Sequence, residues 1–189
     1  ASVVVNIPEI TDDLLVQTRR EDLDSPKFQG VKVNTAFDAT TNSLNLTGAG
    51  QFDAIADFDA EGSLDDVGGI SPSGTYDFAS TLDLGAVFSL DLVRHFKTEG
   101  FYPADLFDSR TANLDTWTDF DGTDANDVDA QLFVRTTQDD PSGSPTYSDF
   151  QNFTSGMFKA RGFQFRAVLT SDDPAQDIRV FQLGYSAKL

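Results

Sequence analysis

The chain contains no cysteine and only one histidine, one tryptophan and one methionine in 189 residues. Without cysteine there is neither a disulfide framework nor thiolate chemistry. His95 alone cannot fill a tetrahedral zinc shell. It stands in "LVRHFKTEG", and no G-x-S-x-G elbow occurs to give a Ser–His–Asp hydrolase its frame, so an ordinary strand histidine is the favoured reading. No run of about 18 apolar residues occurs, which leaves no candidate for a membrane-spanning helix. The opening "ASVVVNIPEI" lacks a basic start and is too short and polar for a signal peptide. It begins at Ala1, as expected of a processed chain or a piece of something longer. Basic residues are scarce as well: 13 against 31 acids, a formal net charge of −18. Such a surface repels phosphate backbones and anionic membranes, so neither nucleic acid nor membrane insertion is expected. The "GGIS" and "GSPT" loops have no Lys-Ser/Thr ending, and phosphate cradling has no support.

What is present reads as strands. No window of a dozen residues carries an apolar i, i+3, i+4, i+7 stripe free of Gly, Pro or β-branched residues. "VVVNI" (3–7) and "LLVQT" (14–18) lie in a leading segment broken by Pro8 and by "RREDLDSP". "FQGVKVNTAF" (28–37) and "SLNLTG" (43–48), separated by "DATTN", predict an opening hairpin. After the loop "DDVGGISPSG" (65–74), Leu82, Leu84, Ala86 and Phe88 alternate with Asp83, Gly85 and Val87. "DAQLFVRT" (129–136) puts Leu132 and Val134 on one face and Gln131, Phe133 and Arg135 on the other. "QDDPSGSPT" is a hairpin loop by composition, "YSDFQNF" (147–153) returns, and "DIRVFQLGYSA" closes the chain. In "ARGFQFRAVLTSDDP", Phe163, Phe165, Ala167 and Leu169 share one side of an extended segment while Gln164 and Arg166 share the other.

Short strands punctuated by Gly, Pro and Asp turns predict an all-β fold, an antiparallel β-sandwich or jelly roll. Residues 1–27 read as an N-terminal arm or linker and 28–189 as the sandwich domain. A folded chain of this mass exposes roughly 9,000 Å² against roughly 30,000 Å² unfolded, enough burial for a core without staples. Seventeen phenylalanines supply that core with volume.

Two constellations carry chemistry. The run "DFDGTDANDVD" sets Asp119, Asp121, Asp124, Asp127 and Asp129, with Asn126, at the close spacing of hard oxygen ligands that calcium takes. It departs from the EF-hand, with its glycine too early and no Glu at the twelfth place. The alternative is a solvated loop whose Asp and Asn side chains build turns. Trp117, Tyr102 and Tyr147, with Phe150, stand near polar loops and could form a platform on which sugar rings stack. For Trp117 the alternative is the core. Paired carboxylates for glycoside cleavage are not marked out, since 31 acids guarantee many chance pairs.

Three segments read together are familiar: "GGISPSGTYDFASTLDLGAVFSLDL", "DLFDSRTANLDTWTDFDG" and "DAQLFVRTTQDDPSGSPTYSDFQNFTSGMFKARGFQFRAVLTSDDP". Their order resembles segments of the large tail-tip (host-specificity) proteins of siphophages and related gene-transfer agents. The resemblance spans about Gly68 to Leu189, and "VRTTQDDPSGSPT…ARGFQFRAVLTS" is its specific part. It implies a non-enzymatic structural module of a virion tail tip or tail fibre, built as a galactose-binding-like β-sandwich. The implied partners are other phage tail proteins, two further copies in a homotrimer, and a host cell-surface glycan or protein. It brings no cofactor and no catalytic residues, so calcium enters only through the acidic run's own residues, as the alternative to a solvated loop. The family's domains are pieces of very long chains, which makes a fragment or a separately encoded tip protein the expectation here. The competing classes are a free carbohydrate-binding module and a glycan depolymerase.

Overall fold

The computed structural model describes residues 15–48, 69–103 and 125–188. Its strands are β1 (Leu15–Arg20), β2 (Val31–Val33), β3 (Thr35–Asp38), β4 (Ser43–Leu46), β5 (Ser73–Asp77), β6 (Leu82–Phe101), β7 (Val128–Thr137), β8 (Gln151–Asn152), β9 (Gly156–Ser171) and β10 (Asp177–Lys188). No helix occurs among the described residues. Every strand pairing is antiparallel. The chain is therefore all-β and sandwich-like, as its turn-punctuated alternation predicts, with the sheet nearly closed into a barrel.

The near-closure follows from two corners. One layer runs β8–β7–β9–β5–β2, and the other sets β10 between β6 on one side and β1 and β4 on the other. β6 belongs to both layers. Its first part pairs β9, from Leu82↔Phe163 to Leu92↔Gly156, and its second part pairs β10, from Asp91↔Lys188 to Phe101↔Asp177. At the other corner β2 pairs β5 and β3 pairs β4, with only Asn34, at φ 51°, between them. Backbones crowd there: a Cβ on Gly74 would lie 2.6 Å from the Asn34 carbonyl oxygen, so only glycine fits.

A long strand keeps one face in the core of a curved sheet only by inserting residues. β10 buries Ile178 and Val180, then Leu183, Tyr185 and Ala187, and its register against β6 shifts between Val180 and Gln182. The inward parity changes from even to odd at that shift. β9 does the same, packing Phe158 and Ala160 inward and then Phe163, Phe165, Ala167 and Leu169. Between the layers lies a run of rings. Phe165 stacks on Tyr185 at 4.3 Å and 19°, and Phe78, Tyr76 and Phe28 continue the contacts toward Phe37. Phe165 comes from β9 and Tyr185 from β10, so this pair joins the two layers through ring faces.

Three expectations are revised. The alternation over residues 82–88 buries only Leu82 fully, because β6 spends five steps from Asp83 to Phe88 while β9 spends two, from Gly162 to Ala160. Val87 and Phe88 are consequently exposed. The opening hairpin is β3–β4 alone, since β2 turns away to β5 at Asn34. Of "YSDFQNF", only Gln151 and Asn152 pair as strand. Of the leading segment 1–27, β1 is hydrogen-bonded to β10, and Glu21 and Asp22 beyond it are buried.

Asp177, at the start of β10, ties the layers' rim together. One carboxylate oxygen accepts the N–H of Leu46, 3.1 Å, and of Ile178, 2.6 Å. Burial outweighs these bonds and pushes its pKa up from the ordinary 3.8 to about 6. With the folded pKa above the unfolded one, the folded state binds the extra proton between those values. Its contribution is thus present below pH 3.8 and is lost as pH rises through about 6. An asparagine carbonyl can accept the same two bonds without charge. Asp177→Asn is expected to be more stable than the parent by about 2–3 kcal/mol at pH 7 and equal to it near pH 3. Thermal unfolding of both proteins across that range checks this; a pH-independent difference contradicts it.

Candidate functional site

The outward residues of β9, β7 and β5 meet on the sandwich's outer face. Register decides which ones. Asp77↔Arg166 and Arg135↔Gln164 are cross-strand partners. The Arg166 guanidinium donates from Nε and Nη2 to the two Asp77 oxygens at 2.6 and 2.8 Å, a bidentate pair. That bond holds the Arg166 pKa above its ordinary value. Arg135 donates from Nε, 2.8 Å, and Nη2, 2.6 Å, to Gln164 Oε1, and Gln164 Nε2 donates to Thr81 Oγ1 at 3.0 Å. Asp77, Phe78, Ser80, Thr81, Arg135, Phe150, Gln164 and Phe165 line a cleft of about 180 Å³.

The connection between β7 and β8 lies over this row. The Phe150 ring centroid is 4.7 Å from the Arg135 guanidinium carbon and 4.5 Å from that of Arg166, and the Tyr147 ring is 4.8 Å from Arg135. These are cation–π contacts in a partly desolvated place. Side-chain caps fold the connection. Asp140 Oδ1 accepts from the Ser142 N–H at 2.9 Å and from its hydroxyl at 2.6 Å. Those bonds hold its pKa below the ordinary carboxylate value. Asp139 Oδ2 accepts the Thr146 N–H at 2.9 Å, and Ser148 closes the segment onto Thr136 with its N–H donating at 2.9 Å and its Oγ accepting at 3.0 Å. The two aspartates of "QDDPSGSPT" thus build turns.

Tyr147 keeps one loose end: its hydroxyl oxygen is buried with no hydrogen-bond partner. Tyr147→Phe retains the ring over Arg135 and deletes only that orphan. It is expected to leave the urea midpoint unchanged or raise stability by about 1 kcal/mol. A loss above that value would mean the hydroxyl is satisfied in solution.

The expected platform residues separate. Phe150 lines the cleft, and the Tyr147 ring packs on Arg135 beside it. Tyr102 lies elsewhere, its hydroxyl accepting from Gln176 Nε2 at 2.9 Å, beside Asp127 and Asp173, whose Oδ2 atoms accept from the same nitrogen at 2.8 and 3.0 Å. Asp127 precedes β7 and Arg135 stands eight residues further on, roughly 25 Å at the rise of a strand. Trp117, Asp119, Asp121 and Asp124 fall outside the described residues. Asp127 is engaged by Gln176, and Asp129 Oδ2 accepts from Gln131 at 2.8 Å. Among the described residues no group of three or more carboxylates or imidazoles gathers to hold a metal.

His95 sits on β6, its pKa lowered chiefly by burial, with Nε2 2.8 Å from Ser186 Oγ. Ser186 lies within β10 and also contacts Thr18 at 3.1 Å. Among the described residues no carboxylate is hydrogen-bonded to the imidazole. The pair lacks a triad's third member. Ring chemistry singled out Tyr147 and Phe150 in the sequence, while Arg135, Gln164 and Arg166 beside them were not singled out. The available signal was their outward parity on two strands, which the structure pairs with one another. Comparisons with protein-family models, curated proteins and solved structures find no match.

Proposed function

We propose that this chain is a structural, non-enzymatic module of a phage tail tip or tail fibre, and that it contacts a host-surface glycan or protein through the Arg135–Phe150 cleft. One observation carries the reading. The block that resembles tail-tip proteins is β7, its following connection and β9, and three outward residues of that block, Arg135, Phe150 and Gln164, line the cleft, with the Tyr147 ring packed on Arg135 and Arg166 packed on Phe150. A rigid sheet carrying an aromatic and hydrogen-bonding recess suits recognition. The same aromatic recess favours, as the second reading, a free carbohydrate-binding module.

Assembly separates the two. Light scattering on the purified chain is expected to give three times the 20.6 kDa protomer mass for a trimeric tip module. A monomer favours the free module. Loss of the trimer in chelator would place a structural calcium at the acidic run, and indifference to chelator would remove calcium from the account. In a second assay the intact chain competes with phage adsorption to host cells. Competition lost in Arg135→Ala supports the cleft as the contact; equal competition by both proteins overturns it.

A further inference from the structure

From its charge arrangement, we infer that the cleft selects a carboxylate-bearing sugar, of the uronic or sialic acid class, with Arg135 as the group that reads the carboxylate. The inference rests on the reading of this cleft as a receptor contact.

The chain has far more acids than bases, so a described arginine rarely lacks a carboxylate. Arg19, Arg20, Arg161, Arg166 and Arg179 each hold one. Arg94, outside the cleft, bonds the Phe153 carbonyl and the Phe96 ring instead, and Arg135 likewise holds no carboxylate: its protein partners are the neutral Gln164 oxygen and the rings of Tyr147 and Phe150. Arg166 offsets Asp77 across the cleft, which leaves Arg135 as the uncompensated charge in the lining. In a protein of net charge −18 this is a local exception to the field. At physiological salt the field of distant acids is screened within about 8 Å, so the nearest charge dominates.

The unused hydrogens set the geometry. Gln164 takes one N–H from Nε and one from Nη2, leaving both Nη1 hydrogens and the second Nη2 hydrogen. That end of the guanidinium is a planar fork, matched by one planar carboxylate in a bidentate bond. Gln164 and the two rings hold the fork in place, so little rotamer entropy is lost on binding. Ser80 and Thr81 line the same recess with hydroxyls, and Phe150 adds an apolar wall. At about 180 Å³ the space is smaller than the roughly 300–1,000 Å³ of drug-sized sites, and it suits a single ring at a chain end or branch.

The test is calorimetric titration of the intact protein with galacturonate, glucuronate and N-acetylneuraminate oligomers, each beside its methyl ester. At least one acid is expected to bind ten-fold or more tighter than its ester. Raising salt from about 50 to about 500 mM should weaken that binding several-fold, through screening. Arg135→Gln keeps a planar polar group and should lose the acid-over-ester preference, while Arg135→Lys keeps charge without the fork and should recover only part of it. Unchanged thermal midpoints certify both folds. Equal binding of acid and ester, or a preference that survives Arg135→Gln, overturns carboxylate selection while leaving the cleft a glycan site. No binding by any of the three acids also overturns it. If the chain then still blocks adsorption through Arg135, the receptor contact stands without an acidic sugar; if it does not, both readings fall.

Discussion

Alanine at Gly184 is expected to destabilise the protein by about 3 kcal/mol or more, because overpacking here meets backbone instead of a movable side chain. A Cβ at this position would lie 2.1 Å from the Arg19 carbonyl oxygen and 3.1 Å from the Arg19 carbonyl carbon. Gly184 pairs with Arg20 across the β1–β10 ladder, so relief requires β1 to move off β10. That movement also breaks the contacts of the two residues after β1. The Glu21 N–H donates to the Leu183 carbonyl at 2.8 Å, and Asp22 Oδ1 accepts the Leu183 N–H at 3.0 Å. Denaturant unfolding should show a lowered midpoint, and amide exchange should locate the loosening in residues 15–28. A midpoint shift below about 1 kcal/mol would mean that β1 does not lie against β10 in solution.

Phenylalanine at Tyr76 is the second large effect, expected to cost about 3 kcal/mol although it removes one oxygen atom. The Tyr76 hydroxyl donates to Glu21 Oε2 and accepts the Gly30 N–H at 2.8 Å, inside the core. Glu21 is fully buried, and its other oxygen is held by Arg19 at 2.7 Å. Removing the hydroxyl therefore strands a charged acceptor and a backbone donor together. Burial and the neighbouring Glu21 carboxylate both push the Tyr76 pKa up, so the proton stays on the phenol. A double-mutant cycle with Glu21→Gln separates the two losses. A coupling near zero would show that the hydroxyl serves only Gly30.

These two positions show where sequence reading stops. Nothing about "QLGYS" says that Gly184 is pressed by a carbonyl from β1, 165 residues earlier. "RREDLDSP" looks like a solvated acidic stretch, yet Glu21 and Asp22 are buried because Arg19, Arg20, Tyr76 and Leu183 supply their hydrogen bonds. Period-2 reasoning served where one ladder runs unbroken. Leu132 and Val134 on β7 are buried, as are Phe163, Phe165, Ala167 and Leu169 on β9, all as expected. It misled over residues 82–88, where the local sequence keeps its alternation while the pairing inserts residues around Gly85. A bulge belongs to two strands, and one strand's sequence does not contain it.

The candidate site divides in the same way. Tyr147 and Phe150 were recognisable as ring platforms from residue type alone. That Arg135 has neutral partners while Arg166 has Asp77 is a matter of register, because cross-strand neighbours are fixed by pairing. Composition and alternation by themselves determined the class: all-β, antiparallel, one aromatic-rich core, an acidic exterior. Burial of alternate apolar residues is a local property of an extended chain, and it can be read without knowing the neighbours. Tertiary structure alone decided the two corners at Asn34 and along β6, the crossing at Gly74, the buried Glu21–Tyr76 pair and the uncompensated arginine of the cleft. Each depends on groups distant in sequence meeting at close range, and only the folded, nearly closed sheet brings them there.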